Sequence, residues 1–246
     1  MDKFLYVSAN ATEAVMKVQA SHMNNLANAS TVGFREDLVK FVSKTVSDDS
    51  NNTRVYGEAT PIGSNFSYGE IKRTGNAMDI AIIGDGWIAV DDGRGNEAYT
   101  RAGNLKISTE GLLETSAGFV VKSSGGPIAL PPAESLEIAS DGTITIRPAG
   151  QRANSLVQLN KIKLVNPPVK DLKKDTNGLF YLPQKSPAEV DNNVRISQGA
   201  IEGSNVNPVG TLLSIMDLSR QYEMHIKLIK QAEKFSETSA QIMQIE

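Results

Sequence analysis

The chain has no cysteine. Disulfides, thiol nucleophiles and thiolate metal sites are therefore excluded. Histidine is nearly absent: only His22 and His225 could serve as imidazole ligands or as a pH-sensitive pair. No apolar run approaches the roughly 18 residues that a membrane-spanning helix needs. Asp2, Asn10 and Glu13 interrupt any secretory signal pattern, so the expectation is either no export or export without a cleavable signal. Net charge is −3, which provides no basic face for nucleic acid. Proline and glycine are missing from both ends: none precedes Gly33 and none follows Gly210. These residues are the strongest helix breakers, so both ends are free to form long helices.

What is present at the ends fits that freedom. Phe4, Val7, Ala11, Ala14, Val15, Val18 and Leu26 recur at about 100° per residue, which predicts an amphipathic helix from Asp2 to about Asn28. Asn24, Asn25 and Asn28 compete for backbone bonds at its end, and Gly33 supplies a turn. Asn207 and Pro208 are suited to the cap and first position of a second helix. Its principal apolar stripe is Ile215, Leu218, Tyr222, Ile226, Ile229, Ala232, Ala240 and Met243. A second stripe, nearly opposite, holds Leu213, Met224, Leu228, Phe235 and Ile242. Helices of about 40 and 57 Å can pair, yet one partner covers only one of the two stripes. Other molecules are expected to bury the remainder, with the ends ordering on assembly.

Between the helices the pattern is β. Met78, Ile80 and Ile82 alternate, as do Ile144 and Ile146, and Ile162 and Leu164. Turn signals such as Gly84-Asp85-Gly86, Asp91-Asp92-Gly93, Asp141-Gly142 and Asn177-Gly178 break the strands often, which predicts an antiparallel sandwich or barrel. Residues 36–75 are an extended connecting region in which Leu38, Val39, Phe41 and Val42 suit helix or strand, and Ser47–Thr53 is a polar loop.

Few motifs suggest chemistry. Gly84-Asp85-Gly86-Trp87-Ile88-Ala89 fits a dinucleotide-binding fingerprint, but strand and turn residues follow where a helix is required, so a β-hairpin turn is the better reading. No nucleophile elbow occurs, the acidic turn at Asp91, Asp92 and Glu97 lacks calcium-loop spacing, and nothing singles out Asp79 and Glu110 as an acid–base pair. No catalytic residue, cofactor or metal site is expected, and the chain is not expected to be an enzyme. A secreted β-sandwich that binds a ligand needs an exposed aromatic platform, for which Tyr56 and Tyr68 are the nearest candidates.

Four stretches, in order, resemble the bacterial flagellar rod and hook family. They are residues 24–35 (NNLANASTVGFR), 74–87 (TGNAMDIAIIGDGW), 99–105 (YTRAGNL) with 110–113 (EGLL), and 198–209 (QGAIEGSNVNPV) with 220–224 (RQYEM). The motif residues singled out are Asn24, Asn25, Leu26, Asn28, Gly33, Phe34, Ser204, Asn205, Val206, Tyr222 and Glu223. Residues 28–31 and 202–208 point to the proximal-rod branch, with the distal-rod branch as the alternative. The resemblance implies a structural subunit of the basal-body rod, exported by the flagellar type III apparatus. Such a subunit lies in the periplasm and transmits torque from motor to hook. Its partners are copies of itself, other proximal rod subunits and the distal rod protein.

The resulting expectation is an α+β fold, with a central antiparallel β sandwich or barrel-like domain flanked by long terminal helices that pair and pack between subunits. Its divisions are 1–35 (helix, inner tube), 36–75 (connector), 76–196 (β domain) and 197–246 (connector and long helix, inner tube). The expected assembly interface is Phe4, Val7, Ala11, Val15, Val18, Leu26, Leu213, Ile215, Leu218, Tyr222, Met224, Ile226, Leu228, Ile229, Phe235 and Ile242.

Overall fold

A computed structural model describes residues 2–45, 55–148, 156–183 and 186–243. The side chains of Phe4, Tyr56, Ala240, Ile242 and Met243, and the loop Ser47–Thr53, lie outside the described residues. The chain forms two compact units, residues 1–29, 37–65 and 206–246 in one and residues 30–36 and 66–205 in the other.

The first unit contains α1 (Asp2–Ala27), β1 (Asp37–Thr45), β2 (Val55–Ser64) and α2 (Pro208–Met243). At 1.5 Å per residue the helices are about 39 and 54 Å long. α2 starts where its cap allows: Gly210 N donates to Asn207 Oδ1 at 3.1 Å, and Pro208 occupies the first helical position. α1 stops at Ala27, where Asn28 N and Asn28 Nδ2 both donate to Asn24 O. The two helices pair through Val15, Val18 and Leu218, with Tyr222 against them, and Gln19 Nε2 donates to Ser219 Oγ at 3.1 Å. β1 and β2 form an antiparallel hairpin from Asp37↔Ser64 to Thr45↔Val55, so the ambiguous run at Leu38 to Val42 is strand. Val39 and Ala59 pack on the cluster of Val15, Val18 and Leu218, and the hairpin lies against α1.

The second unit holds the remaining strands. They are β3 (Ile71–Arg73), β4 (Ile80–Ile83), β5 (Trp87–Asp91), β6 (Glu97–Thr100), β7 (Leu105–Ile107), β8 (Leu113–Thr115), β9 (Lys122–Ser123), β10 (Gly126–Pro127), β11 (Ala133–Ile138), β12 (Thr143–Pro148), β13 (Val157–Lys161), β14 (Leu164–Val165), β15 (Lys173–Lys174), β16 (Phe180–Tyr181), β17 (Arg195–Gln198) and β18 (Ala200–Glu202). The largest sheet has the order β14-β5-β6-β16-β15, and β11-β12-β13 form another. The rest pair in twos, including β4 with β17 and β3 with β18.

This corrects the sandwich or barrel-like expectation: among the described residues the strands fall into several small sheets, and none closes. The reason is strand length. Most strands have two to six residues, and glycines at positive φ such as Gly84, Gly93, Gly111, Gly142 and Gly178 turn the chain before a ladder can extend. The hairpin expected at Gly84-Asp85-Gly86 is also corrected. β4 pairs with β17 and β5 with β6 and β14, so this turn passes the chain from one sheet to another. Gly86 is required there: its φ is +139°, and a Cβ would lie 2.6 Å from Val194 Cγ1.

The core explains why Trp87 to Val90 in β5 shows no alternation. Both faces of the five-stranded sheet are covered. Ile88, Val90, Ala98, Leu164 and Tyr181 face the main core with Ile80, Ile82, Leu113, Ile144, Ile146 and Ile162. Their neighbours Trp87, Ala89, Tyr99, Val165 and Phe180 face a second, aromatic core. Successive strand residues point to opposite faces, so a two-sided burial reads as a continuous apolar run. Each fully buried large aliphatic contributes about 1.5–3 kcal/mol of transfer free energy.

Candidate assembly surface and buried junction

The two stripes of α2 have different fates. Leu218 is buried, and Ile215, Tyr222, Ile226 and Ile229 are half-buried. On the opposite face Leu213, Met224, Leu228 and Phe235 are exposed, Phe235 to 68%. Val209, Leu212 and Met216 are exposed as well, but they lie beside this stripe, on the side of the helix that carries Arg220, Glu223, Lys227 and Lys230 further along. On α1, Val15 and Val18 are buried and Ala11 and Leu26 half-buried, whereas Val7, Met16 and Met23 are exposed. Of the expected interface, Val15, Val18, Leu218 and Tyr222 are thus engaged within the chain. Leu213, Met224, Leu228, Phe235 and Val7 present apolar surface to solvent, and Phe4 and Ile242 fall outside the described side chains.

The histidines form no evident site. His22 Nδ1 is buried and has no hydrogen-bond partner, and no group of three or more potential metal ligands assembles among the described residues.

The motif residues of the second unit meet at one place. Gly33 N donates to Glu202 O at 2.8 Å. Arg35 Nη2 donates to Glu202 Oε1 at 2.6 Å and Arg101 Nη1 to Glu202 Oε2 at 2.9 Å, with all three side chains no more than 3% exposed. Gly69 N adds a bond to Glu202 Oε1 at 2.9 Å, and Arg101 Nη2 donates to Gly84 O at 2.7 Å. Asn205 accepts from Glu36 N at 2.8 Å and donates from Nδ2 to Ser67 O at 3.0 Å. Lys174 Nζ donates to Arg35 O at 2.8 Å and sits 3.8 Å from the centre of the Phe34 ring. Burial lowers the pKa of Arg35, and Glu202 opposes that shift; a guanidinium stays charged at neutral pH regardless.

The packing at this place is equally tight. Gly33 has φ +69°, and a Cβ there would lie 2.4 Å from Ala102 N. At Gly103 a Cβ would lie 1.8 Å from Ile80 O. Ile80 N in turn donates to Gly103 O, and Gly199 N to Asp79 O. All four stretches that carry the family resemblance therefore contribute to this junction. In the first unit, Asn25 is fully buried and clamps Asp37 by paired bonds of 2.9 Å, Nδ2 to Asp37 O and Asp37 N to Oδ1.

Arg35, Arg101 and Glu202 were not singled out from sequence. A weak signal existed: Arg35 and Glu202 are the only charged residues of the runs 24–35 and 198–209, and Arg101 of 99–105, in otherwise small, polar or apolar surroundings. Of the motif residues that were singled out, Glu223 and Asn24 are exposed, Asn28, Ser204 and Asn205 half-buried, and Val206 buried.

Comparison with known proteins identifies the family. Residues 81–146 match the model of the flagellar hook protein FlgE/F/G D1 domain, and residues 197–242 match that of the flagellar basal body rod FlgEFG protein C-terminal region. Flagellar basal-body rod protein FlgF of Salmonella typhimurium is 34% identical over 235 residues, 93% of each chain. The chain belongs to the FlgF family of flagellar basal-body rod proteins. FlgF of Caulobacter vibrioides is 29% identical over 98% of each chain. A FlgG of Buchnera aphidicola, a rod protein of the other type, is 27% identical over 97% of this chain and 98% of its own. The FlgF-type resemblance thus spans both units and both ends of the chain. Within it, the two matched regions contribute Arg101 and Glu202 to the junction.

Proposed function

We propose that this chain is a structural subunit of the proximal basal-body rod, polymerising through its terminal helices into a shaft that carries torque from motor to hook. The reading is supported by the names of its relatives and by one structural observation above all: α2 is apolar on two faces. One face lies on α1. The other, from Leu213 through Met224 and Leu228 to Phe235, is exposed. An exposed apolar stripe of this length on a soluble chain marks an interaction surface. Head-to-tail contacts of this kind build open helices, as a rod requires. In this reading residues 1–35 and 197–246 belong to the inner tube. The partners are copies of the same chain, other proximal rod proteins and the distal rod protein. The subunit is exported by the flagellar type III apparatus and works in the periplasm, with no catalytic role. The 34% identity to FlgF of Salmonella typhimurium, against 27% to FlgG of Buchnera aphidicola, favours the proximal over the distal position.

The test is Phe235→Asp combined with Leu228→Asp. Both side chains are exposed, so the isolated variant keeps its melting temperature within about 2 °C. Rods assembled in its presence should lack the variant, and swimming should stop. Normal motility with the variant incorporated would remove the stripe from the assembly. Ile229→Asp is a harsher probe of the half-buried side of α2 and is expected to block incorporation as well, while the second unit stays folded.

A further inference from the structure

The junction bonds two guanidinium groups to a single carboxylate. Glu202 is the only carboxylate bonded to either guanidinium among the described residues, and its two oxygens are taken by Arg35 Nη2, Gly69 N and Arg101 Nη1. Arg35 Nε, Arg35 Nη1 and Arg101 Nε are buried and have no hydrogen-bond acceptor on the protein. Leaving such donors unpaired is costly, and more so on a charged group. These same two arginines line a cleft of about 310 Å³. Its other walls are Phe66, Trp87, Tyr68, Pro167 and Val169, apolar or aromatic, with Asn166 as a polar group. Tyr68 is half-exposed and lies over Arg101, 5.3 Å from ring centre to Cζ. Trp87 flanks the same guanidinium at 5.5 Å. Asp85 also lines the cleft, but its Oδ1 accepts from Tyr68 Oη at 2.6 Å, and no bond joins it to either arginine.

We infer that this cleft binds a carboxylate carried on a short apolar stem, with Arg35 and Arg101 as its recognition groups. A planar guanidinium with free N–H groups is suited to a carboxylate, which a point charge such as chloride cannot match. The aromatic and proline walls suit two or three methylenes behind it. Tyr68 must swing aside from Arg101 to admit the ligand, and its single hydroxyl bond to Asp85 is what that movement breaks. The chemistry could be presented by a glutamate side chain of another polypeptide or by a free short-chain acid.

Trp87 is the only tryptophan of the chain and stands in the cleft wall, so its indole N–H resonance and its fluorescence report occupancy in the intact monomer. The titrants are sodium propionate, N-acetyl-Ala-Glu-Ala-amide and, as neutral control, propionamide, at ionic strength held constant with chloride. Propionate should give a saturable change with a Kd on the order of 10 mM, and propionamide none. Tighter binding of the blocked peptide than of propionate assigns the ligand to a protein side chain; the reverse assigns it to a free acid. Asp85→Asn removes a like charge at the rim without touching the Glu202 network, and should tighten propionate binding several-fold. Arg35→Lys keeps the charge but not the planar fork, and should weaken it at least tenfold if the variant folds. A linear, non-saturating response, an equal response to propionamide, or unchanged affinity in Asp85→Asn would overturn the assignment.

Discussion

Replacing Glu202 by glutamine tests how far the buried junction holds the second unit together. The side chain keeps its shape and loses its charge. Its Oε1 can still accept from Arg35 Nη2 and Gly69 N, but the new amide group then faces Arg101 Nη1, donor against donor. Two guanidinium groups remain, no more than 3% exposed, with no carboxylate bonded to either. Breaking one partner out of a buried ion pair costs about 3–5 kcal/mol, because the remaining charge is left in a poorly polarisable surrounding. Solvent screening, which reduces exposed pairs to a few tenths of this, has little effect here. For a chain of this size each kcal/mol lowers the melting temperature by about 2–4 °C, so Glu202→Gln should melt roughly 6–20 °C below the parent. The assay is thermal unfolding followed by near-ultraviolet circular dichroism, which reads the packing around Trp87 and Tyr99. The triple variant Arg35→Met, Arg101→Leu, Glu202→Leu removes all three charges together and should regain part of the loss; Gly69 N and Gly84 O stay unpaired and prevent full recovery. A fall of less than about 3 °C in Glu202→Gln would refute the account.

Other outcomes follow from particular residues. Gly33→Ala must place a Cβ at φ +69° and 2.4 Å from Ala102 N, and should cost more than about 2 kcal/mol in urea unfolding, whereas Gly118→Ala, also at positive φ but with open space around it, should cost only about 1. Tyr99 is fully buried, its hydroxyl donating to Glu97 Oε1 at 3.0 Å and accepting from Ala188 N at 2.7 Å, so Tyr99→Phe should lose about 1–3 kcal/mol at neutral pH. Burial raises the pKa of Tyr99 and of Tyr181 above the ordinary value of 10.0, and the hydrogen bond to Asp85 raises that of Tyr68. A raised pKa means that the folded state holds its protons longer, so the associated stability is complete below about pH 10 and declines as pH rises beyond it; urea midpoints should fall from about pH 10 upward, less steeply in Tyr99→Phe. Hydrogen exchange in the monomer should be fast along the distal half of α2, where Met224, Leu228 and Phe235 are exposed, and slow in β5 and β6; strong protection at both chain ends would contradict ordering on assembly.

Much of the helical part was legible because its signals are local. The Asn207-Pro208 start, the stop at the asparagines after Ala27 and the two opposed stripes of α2 depend only on residues within a few turns of one another. The β part was legible as strands and turns but not as an architecture. Ile144 and Ile146 alternate because one face of β12 is covered, whereas Trp87 to Val90 is buried on both, and nothing in a run of five residues tells which sheet lies on either side. Closure into a barrel depends on pairings between strands distant in sequence, such as Ile82 with Ile196 and Phe180 with Tyr99, and these are set by packing. The junction was hidden for the same reason. Arg35 and Glu202 are 167 positions apart, and as single residues each reads as an ordinary surface charge.

The stretches that mark the family and the surface that would assemble the rod are largely different residues, and this has a consequence for how variants should sort. Gly33, Arg35, Arg101, Gly103, Glu202 and Asn205 are occupied inside the chain by backbone contacts, ion pairs and hydrogen bonds. Leu213, Met224, Leu228 and Phe235 have no such partners to lose and expose apolar area instead. A substitution in the first set removes a buried bond or forces a backbone apart, so it acts on folding of the monomer and only through folding on motility. A substitution in the second set removes area that is buried only when another molecule arrives, so it leaves the monomer's unfolding curve in place and acts on incorporation. Tyr222 is the informative intermediate: it belongs to the motif, lies half-buried against Val15 and Val18, and has part of its ring exposed. Tyr222→Ala should therefore lower monomer stability by about 1–3 kcal/mol, less than the 3–5 kcal/mol of a full aromatic deletion, and also reduce incorporation after the lost stability is restored elsewhere in the chain. Full incorporation of such a rescued variant would place Tyr222 with the folding residues alone.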